Sequence, residues 1–409
     1  MDPGSSATDP SSTATGGPLA DLRVLELGQL LAGPFCGQLL GDFGAEVVKV
    51  ERPGTGDPMR QWGRQAQGLS LWWPVIARNK KSITCDLGTG EGQALTRRLV
   101  ATADVVVENF RPGRLERWNL GYEELARINP GVILVRVTGY GQSGPYAPRA
   151  GFGSVGEAMG GLRHVTGEPD RPPSRTGVSI GDSLAGTLAA LGALVAVHAR
   201  RSTGRGQVVD SAIYEAVLAL MESLVPEYQV AGHVRQRSGA ILPGIAPSNV
   251  YTTGDGDDVV MGANQDSVFR RLAEVMGQPH LATDPRFATH AARGENQAEL
   301  DRLIGAWTAG RKSADLLEDL ARAGVPAGRI YTARDLLADP HVLSRQAIVH
   351  LAHPEFGTIA MQGVAPRLSE TPGSVRWPGP ALGGHNDEIY GALGLDAGEL
   401  TRLRDQGVL

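Results

Sequence analysis

Among the residues whose type and setting could support chemistry, one aspartate stands out. Asp182 follows Gly181 and heads an apolar run over residues 183–201. Two roles fit that position. Asp is a good helix N-cap, because its carboxylate accepts an otherwise unpaired backbone N–H. A helix N-terminus also holds a carboxylate ionised, and an ionised carboxylate in an apolar, glycine-lined setting is a plausible nucleophile. No second carboxylate and no histidine stands within a few residues of it. An acid–base dyad of close sequence neighbours is therefore not indicated.

A second constellation could hold an anion. Residues 28–34 read GQLLAGP and open a helix after an apolar strand, so free backbone N–H groups would face a ligand there. Glu51 ends the next strand 23 residues later, where a dinucleotide fold keeps its ribose acid, yet the spacing G-x4-G-P is not GxGxxG. Nicotinamide binding is thus weakly supported. Arg52 opens the loop PGTGD, where its guanidinium suits a phosphate, although a plain exposed loop arginine fits as well. Arg60, Arg64, Arg78, Lys80, Lys81, Arg111, Arg114 and Arg117 add a basic cluster inside the first 120 residues. Asn109 and Phe110 end a third strand, a pairing suited to a flat nitrogen heterocycle, or else a turn former beside a core aromatic.

Other chemistries lose their support. The nine His show neither HExxH nor H-x-E…C-x-x-C spacing, so no metal site is expected. Neither a GxSxG elbow nor a GxxxxGK[ST] loop occurs. The net charge of −5 argues against wrapping a nucleic acid. Two cysteines, Cys36 and Cys85, cannot staple a chain of 409 residues, so a cytoplasmic protein is expected. Residues 1–17 read as a disordered tail lacking the h-region of a signal peptide. The apolar stretch 183–198 is short for a membrane span and reads as a buried helix, so no membrane partner is expected.

The elements that must position these residues alternate. Strands are expected at 22–27, 45–51, 104–110 and 131–138, with helices at 32–43, 92–101 and 116–128 between them. Short apolar strands separated by helices imply βαβ units and a parallel sheet, whose ligands lie beyond the carboxyl ends of the strands. A glycine-rich stretch, 139–161, precedes the long helix at 183–201, and a strand at 207–210 leads to a helix at 212–224. From about 225 the pattern changes to a smaller α+β domain. Its strands are expected at 250–253 and 258–262 and its helices at 265–276, 296–309 and 313–323. The last part reads as a hairpin strand at 357–361, an irregular Pro/Gly arm and a terminal helical pair.

Taken in order, LRVLELGQLLAGPFCGQLLGDFGAEVVKVERPGTGD, RNKKSITCDL, VVVENFRPG, GYGQSGP, SIGDSLAG and STGRGQVVD resemble the class III CoA-transferases, and LGGHNDEIYGALGL resembles that family's terminal helix. The likeness runs from about residue 20 to the C-terminus. It implies an α/β fold with a Rossmann-like CoA-binding large domain at 18–224, a small α+β domain at 225–330, and a linker and C-terminal arm at 331–409 that returns to the large domain. It also implies a ring-shaped chain forming an interlocked homodimer.

The family's nucleophilic aspartate falls on Asp182. For CoA, the resemblance implies Gln29, Leu31 and Ala32 in the first turn and Arg52 at the nucleotide phosphates. Cys85, Asp86, Leu87, Gly88, Asn109, Phe110, Arg111 and Arg117 would line the adenosine end, and Thr138, Gly139, Tyr140 and Gly141 would lie near the thioester. Acyl-CoA is then a substrate, and no tightly bound cofactor is expected. Arg64, Arg149 or Arg175 could hold an acceptor's distal carboxylate. Formyl-CoA enzymes carry His and Gln where this chain has Gln29 and Leu31, and a four-glycine lid where it has Leu242-Pro243-Gly244-Ile245, so the likeness is nearer the succinyl-CoA:dicarboxylate branch. Two alternatives share the fold. A 2-methylacyl-CoA racemase needs a His in a GHD motif, where this chain has Gly151-Phe152-Gly153. A non-catalytic CoA-binding protein would bind CoA without exchange.

Overall fold

The computed structural model describes residues 16–409. Of the expected tail, residues 1–15 lie outside the described residues. The chain divides into two compact units. The larger holds the segments up to Leu162, Val178–Glu222 and His341–Leu409, and the smaller holds Arg163–Gly177 and Ser223–Pro340.

In the larger unit, strand β1 (Arg23–Glu26) leads through α1 (Ala32–Asp42) to β2 (Glu46–Glu51). Strand β3 (Lys80–Thr84), helix α2 (Gly90–Val100) and strand β4 (Val105–Glu108) follow. Next come β5 (Ile133–Thr138), α3 (Gly153–Met159), α4 (Ile180–Thr203), β6 (Val208–Ala212) and α5 (Ile213–Leu218). The six strands lie in the order β3-β2-β1-β4-β5-β6, every neighbouring pair parallel. That is the strand order of a doubly wound dinucleotide-binding sheet. Its switch point falls between β1 and β4, where successive crossovers leave toward opposite edges and open a crevice beyond the strand ends.

Both sheet faces are covered, as buried parallel strands require. Val106, Leu134, Leu95 and Leu99 share one core with Leu400, Leu403 and the C-terminal Val408 and Leu409. Val105, Val107, Val135, Cys36 and Leu40 share the other with Ala185, Ala189, Ala193 and Ala196 of α4.

Several elements differ from the sequence reading, each for a local reason. Strand β3 was not expected, because its opening Lys80 and Lys81 read as part of a basic cluster suited to an anion. Lys80 is instead fully buried, its charge met by Glu26 at 2.8 Å. The helix expected at 116–128 is two short pieces, Arg114–Arg117 and Tyr122–Ile128, separated where Asn119 adopts φ +54°. Helix α4 is longer than read, 24 residues including an 18-residue stretch of mean hydropathy 1.7, enough in length and composition to cross a membrane. Its alanines pack into the core, while Leu188, Leu191, Leu194 and Val195 are exposed.

The smaller unit has the antiparallel strands β7 (Ser248–Thr252) and β8 (Asp258–Gly262) and the helices α6 (Asp266–Val275), α7 (Gln297–Thr308) and α8 (Ser313–Arg322). Strand β9 (Ala327–Arg329), missed for its brevity and its Gly328, completes the order β9-β8-β7. Phe269, Phe287, Leu300 and Leu316 fill its core.

Within the larger unit the last segment carries the hairpin β10 (Ile348–His353) and β11 (Gly357–Gln362). The Pro/Gly arm then runs back along β3 and its approach. Asn79 donates to the Ser374 carbonyl at 2.8 Å, and the Trp377 indole to the Lys80 carbonyl at 3.0 Å. Helices α9 (Asn386–Ala392) and α10 (Ala397–Asp405) close the chain.

Candidate active site

The turn at residues 28–34 sits at the switch point and is clamped from below. Asn109, just past β4, accepts the Gln29 N–H at 2.7 Å and donates to the Gln29 carbonyl at 2.8 Å. Both glycines of G-x4-G face this amide. A Cβ on Gly28 would lie 3.0 Å from its oxygen, and one on Gly33 3.3 Å from its Cγ. The amide read as a heterocycle ligand is therefore engaged at both ends by backbone.

A buried set of charges holds the rest of the turn. Lys49 pairs with Asp57 at 2.7 Å and Glu26 at 3.0 Å, and donates to the Gly28 carbonyl at 2.8 Å. Lys80 donates to the Pro34 carbonyl at 2.6 Å. Asp57 accepts the N–H of Leu30 at 3.0 Å, stabilising a non-glycine residue at φ +63°. Burial by itself would raise the Asp57 pKa, but the Lys49 charge and the hydrogen bonds outweigh it and hold it below the usual value. Burial opposes the charge on Lys49 too, yet Asp57, Glu26 and Glu51 raise its pKa above normal. Sequence reading missed this cradle. Its only signal was charged residues inside strands otherwise composed of buried Val and Ile.

Glu51 is not a free ribose acid. Its buried carboxylate accepts from Arg60 at 2.7 and 2.8 Å, from the Ser82 hydroxyl at 2.5 Å and from the Asp57 N–H at 2.9 Å. Arg52, next in sequence, is exposed in the loop and forms no ion pair among the described residues. Arg111 and Arg117 are also exposed. Phe110 meets Trp118 edge-on at 5.1 Å and packs partly against the core. Cys85 and Leu87 are buried, Asp86 accepts the Gly88 N–H at 2.8 Å, and only Gly88 of these four is exposed. Burial pushes the Cys85 thiol up to about 11 and the Cys36 thiol up to about 12, so neither is a poised nucleophile.

At the end of β5, the buried Thr138 hydroxyl accepts the Gly141 N–H at 3.0 Å, with Gly141 at φ +83°. Tyr140 is half-buried between them. Gly139 lies against Gly151, since a Cβ on Gly139 would fall 2.6 Å from the Gly151 Cα. This contact folds the 142–151 loop back over the strand end.

Asp182 is not the N-cap. Ser179 holds that position and α4 begins at Ile180, which puts Asp182 in the first helical turn, half-buried. Its carboxylate lies directly on Gly153 of α3, where a Cβ would stand 2.1 Å from Oδ2. Glu157, fully buried one turn along α3, accepts the Gly181 N–H at 3.3 Å, a carboxylate that sequence reading did not single out. Residues four apart share a helix face, so Asp182 lies above Gly186, whose Cβ would fall 2.7 Å from the Ala32 carbonyl. Asp182 is thereby placed beside the start of α1. Leu31 and Ser183 also line one cavity of about 630 Å³ with Phe35, Trp72 and Ile76. The arrangement offers a carboxylate, favoured as an anion by its helix N-terminus, next to a rigid turn at the ligand-binding edge of a doubly wound sheet. Among the described residues, no group of three or more His, Cys, Asp or Glu is arranged to hold a metal ion.

Comparison with known proteins supplies the family. The sequence model described as CoA-transferase family III matches residues 19–386. A succinyl-CoA–D-citramalate CoA-transferase of Chloroflexus aurantiacus is 64% identical over 394 residues, covering 96% of this chain and 98% of that one. A succinate–glutarate CoA-transferase of Agrobacterium fabrum is 39% identical, covering 92% and 96%. The crystal structure of a CAIB/BAIF family protein from Brucella suis superposes with a TM-score of 0.81 at 37% identity, covering 92% of this chain and all of that one. Matches that run the length of both partners make this chain a member of CoA-transferase family III, and hence a CoA-transferase.

Proposed function

We propose that the protein moves CoA from an acyl-CoA, with succinyl-CoA as the favoured donor, to a dicarboxylic acid through covalent intermediates on Asp182. The observation that carries this reading is the Asp182 carboxylate resting on Gly153 beside the clamped turn at 28–34. The names of relatives 64% and 39% identical support a succinyl donor and a dicarboxylate acceptor of the citramalate or glutarate type.

In the proposed sequence, Asp182 attacks the thioester carbonyl, the C–S bond breaks, and an acyl-aspartyl anhydride forms with CoA thiolate. The thiolate attacks the aspartyl carbonyl and expels the donor acid as its carboxylate, leaving an aspartyl-CoA thioester. The acceptor carboxylate then attacks that thioester, and the released thiolate takes the acceptor acyl group from the new anhydride. Asp182 is regenerated, and no net proton or electron is consumed. Each step exchanges groups of similar energy, so the protein's task is to hold geometry and exclude water.

CoA itself would use Gln29, Leu31 and Ala32 in the turn, Arg52 at the phosphates, residues 85–88, Asn109, Phe110, Arg111 and Arg117 at the adenosine end, and residues 138–141 near the thioester. Asn109 would then act through the turn it clamps. No tightly bound cofactor enters this scheme. We place the enzyme in the cytoplasm, consistent with two buried free thiols, and assign it a homodimer of interlocked chains. The row Leu188, Leu191 and Val195, exposed at helical spacing on α4, suits such a self-association.

The test is to trap the intermediate. Incubation with acyl-CoA and borohydride, followed by peptide mass spectrometry, should reduce Asp182 alone. Modification of a different residue would refute the assignment.

A further inference from the structure

We propose that Arg149 binds the distal carboxylate of the dicarboxylic substrate and thereby sets the preference for diacids, an inference that rests on the transfer at Asp182 proposed above. A diacid entering a cleft with an apolar wall carries a second charge that must be met by a cation. Most cations near the sheet ends are already committed. Lys49, Lys80, Arg60, Arg78 and Arg136 each hold a carboxylate at 2.6–2.8 Å. Arg52, Arg111 and Arg117 lie at the strand ends assigned above to the nucleotide.

Arg149 differs from both groups. It is exposed and has no carboxylate partner among the described residues. Its guanidinium lies over the Tyr146 ring, 3.7 Å from the centroid, and Tyr146 meets Tyr140 edge-on at 5.8 Å. Tyr140 belongs to the turn after β5. The stack therefore fixes the guanidinium to that turn while leaving its in-plane N–H donors open to a carboxylate. The contact of Gly139 with Gly151 holds the same loop over the strand end. Arg149 stands only four positions before Gly153, which touches Asp182, a backbone span of at most about 14 Å. A diacid of four or five carbons together with an arginine side chain can cover that distance.

Of the other two arginines considered for this role, Arg175 belongs to the smaller unit and is already engaged. The rival is therefore Arg64, which also lacks a carboxylate partner among the described residues. It lies two residues from Trp62, whose ring approaches Phe152 at 6.2 Å. The experiment compares Arg149→Gln and Arg64→Gln with the wild type. In a two-stage exchange, kcat/KM for the acceptor reports only the second stage, so a single acyl-CoA donor serves throughout. Succinate and glutarate are measured against butyrate and pentanoate, acids of equal length with one charge. Arg149→Gln should lower the diacid-to-monoacid ratio of kcat/KM by about 10- to 100-fold, the value of a charged hydrogen-bonded contact, and leave the monoacids nearly unchanged. Equal loss on both classes, or a ratio that falls only in Arg64→Gln, overturns the assignment of Arg149. A wild type that transfers CoA to monoacids but not diacids overturns it as well, while leaving transfer at Asp182 intact. A wild type that exchanges CoA with no acid removes the underlying reading before any variant is compared.

Discussion

The Cα of Gly153 supports the carboxylate of Asp182 so closely that a Cβ there would stand 2.1 Å from Oδ2. Helix α3 can carry no side chain at this position while the aspartate keeps its place. The contact also bears on the racemase alternative, which calls for a GHD motif where this chain has Gly151-Phe152-Gly153. Here the last of those positions is filled by the carboxylate of Asp182.

Gly153→Ala is accordingly expected to displace the proposed nucleophile without removing it. A misplacement of about 1 Å can cost 100-fold in rate, so kcat should fall by about that factor while the dissociation constant for CoA changes only a few-fold. Steady-state kinetics and calorimetric CoA titration decide the point. A variant with wild-type kcat would show that Asp182 need not occupy the position seen here.

Asp182→Ala should keep the fold and CoA affinity and lose transfer altogether. Its thermal midpoint and CoA titration should match wild type, with isotope exchange between succinate and succinyl-CoA at background. Near wild-type exchange in this variant would end the proposal for Asp182.

Asn109→Ala removes two hydrogen bonds to Gln29, each worth about 1 kcal/mol. If the clamp shapes the CoA turn, KM for acyl-CoA should rise about tenfold with KM for the acceptor unmoved. A parallel rise in both constants would point to general loosening of the unit.

The Lys49–Asp57 pair has a defined pH signature. The Asp57 pKa is lowered in the folded state, with Lys49 outweighing the opposing effect of burial, so its stabilisation is complete above the unfolded value of 3.8 and is lost as pH falls from there through the folded value. Asp57→Asn should therefore be less stable than wild type at neutral pH, and the gap should narrow as pH drops below about 4. Thermal midpoints of both proteins across pH 3–7 provide the check, and a gap independent of pH would contradict it.

Both thiols should be inert in the native protein. With Cys36 pushed to about 12 and Cys85 to about 11 by burial, iodoacetamide at pH 8 should label neither until denaturant is added. Rapid labelling of the native enzyme would indicate that these cores open readily.

Much of this protein is legible in one dimension because the information is local. Apolar β-branched runs such as RVLE and VVVE, spaced by helical segments, announce a parallel sheet. The candidate turn at 28–34 and the candidate nucleophile Asp182 are likewise marked by a few sequence neighbours. Strand β3 was hidden for the opposite reason. Lys80 reads as one of a basic cluster until Glu26, 54 positions away, is seen to neutralise it at 2.8 Å.

By itself, then, the sequence determined the fold class, the family likeness and the candidate nucleophile, since each depends on residue type and short spacing. Only the tertiary structure decided which charges are spent and which remain available. It committed Glu51 to Arg60, Asn109 to Gln29 and Asp57 to Lys49, and it moved Asp182 from a helix cap into the first turn. The physical reason is that a buried charge must be met by whatever group the fold brings within about 3 Å, and that partner is chosen by packing across the sheet rather than by position along the chain.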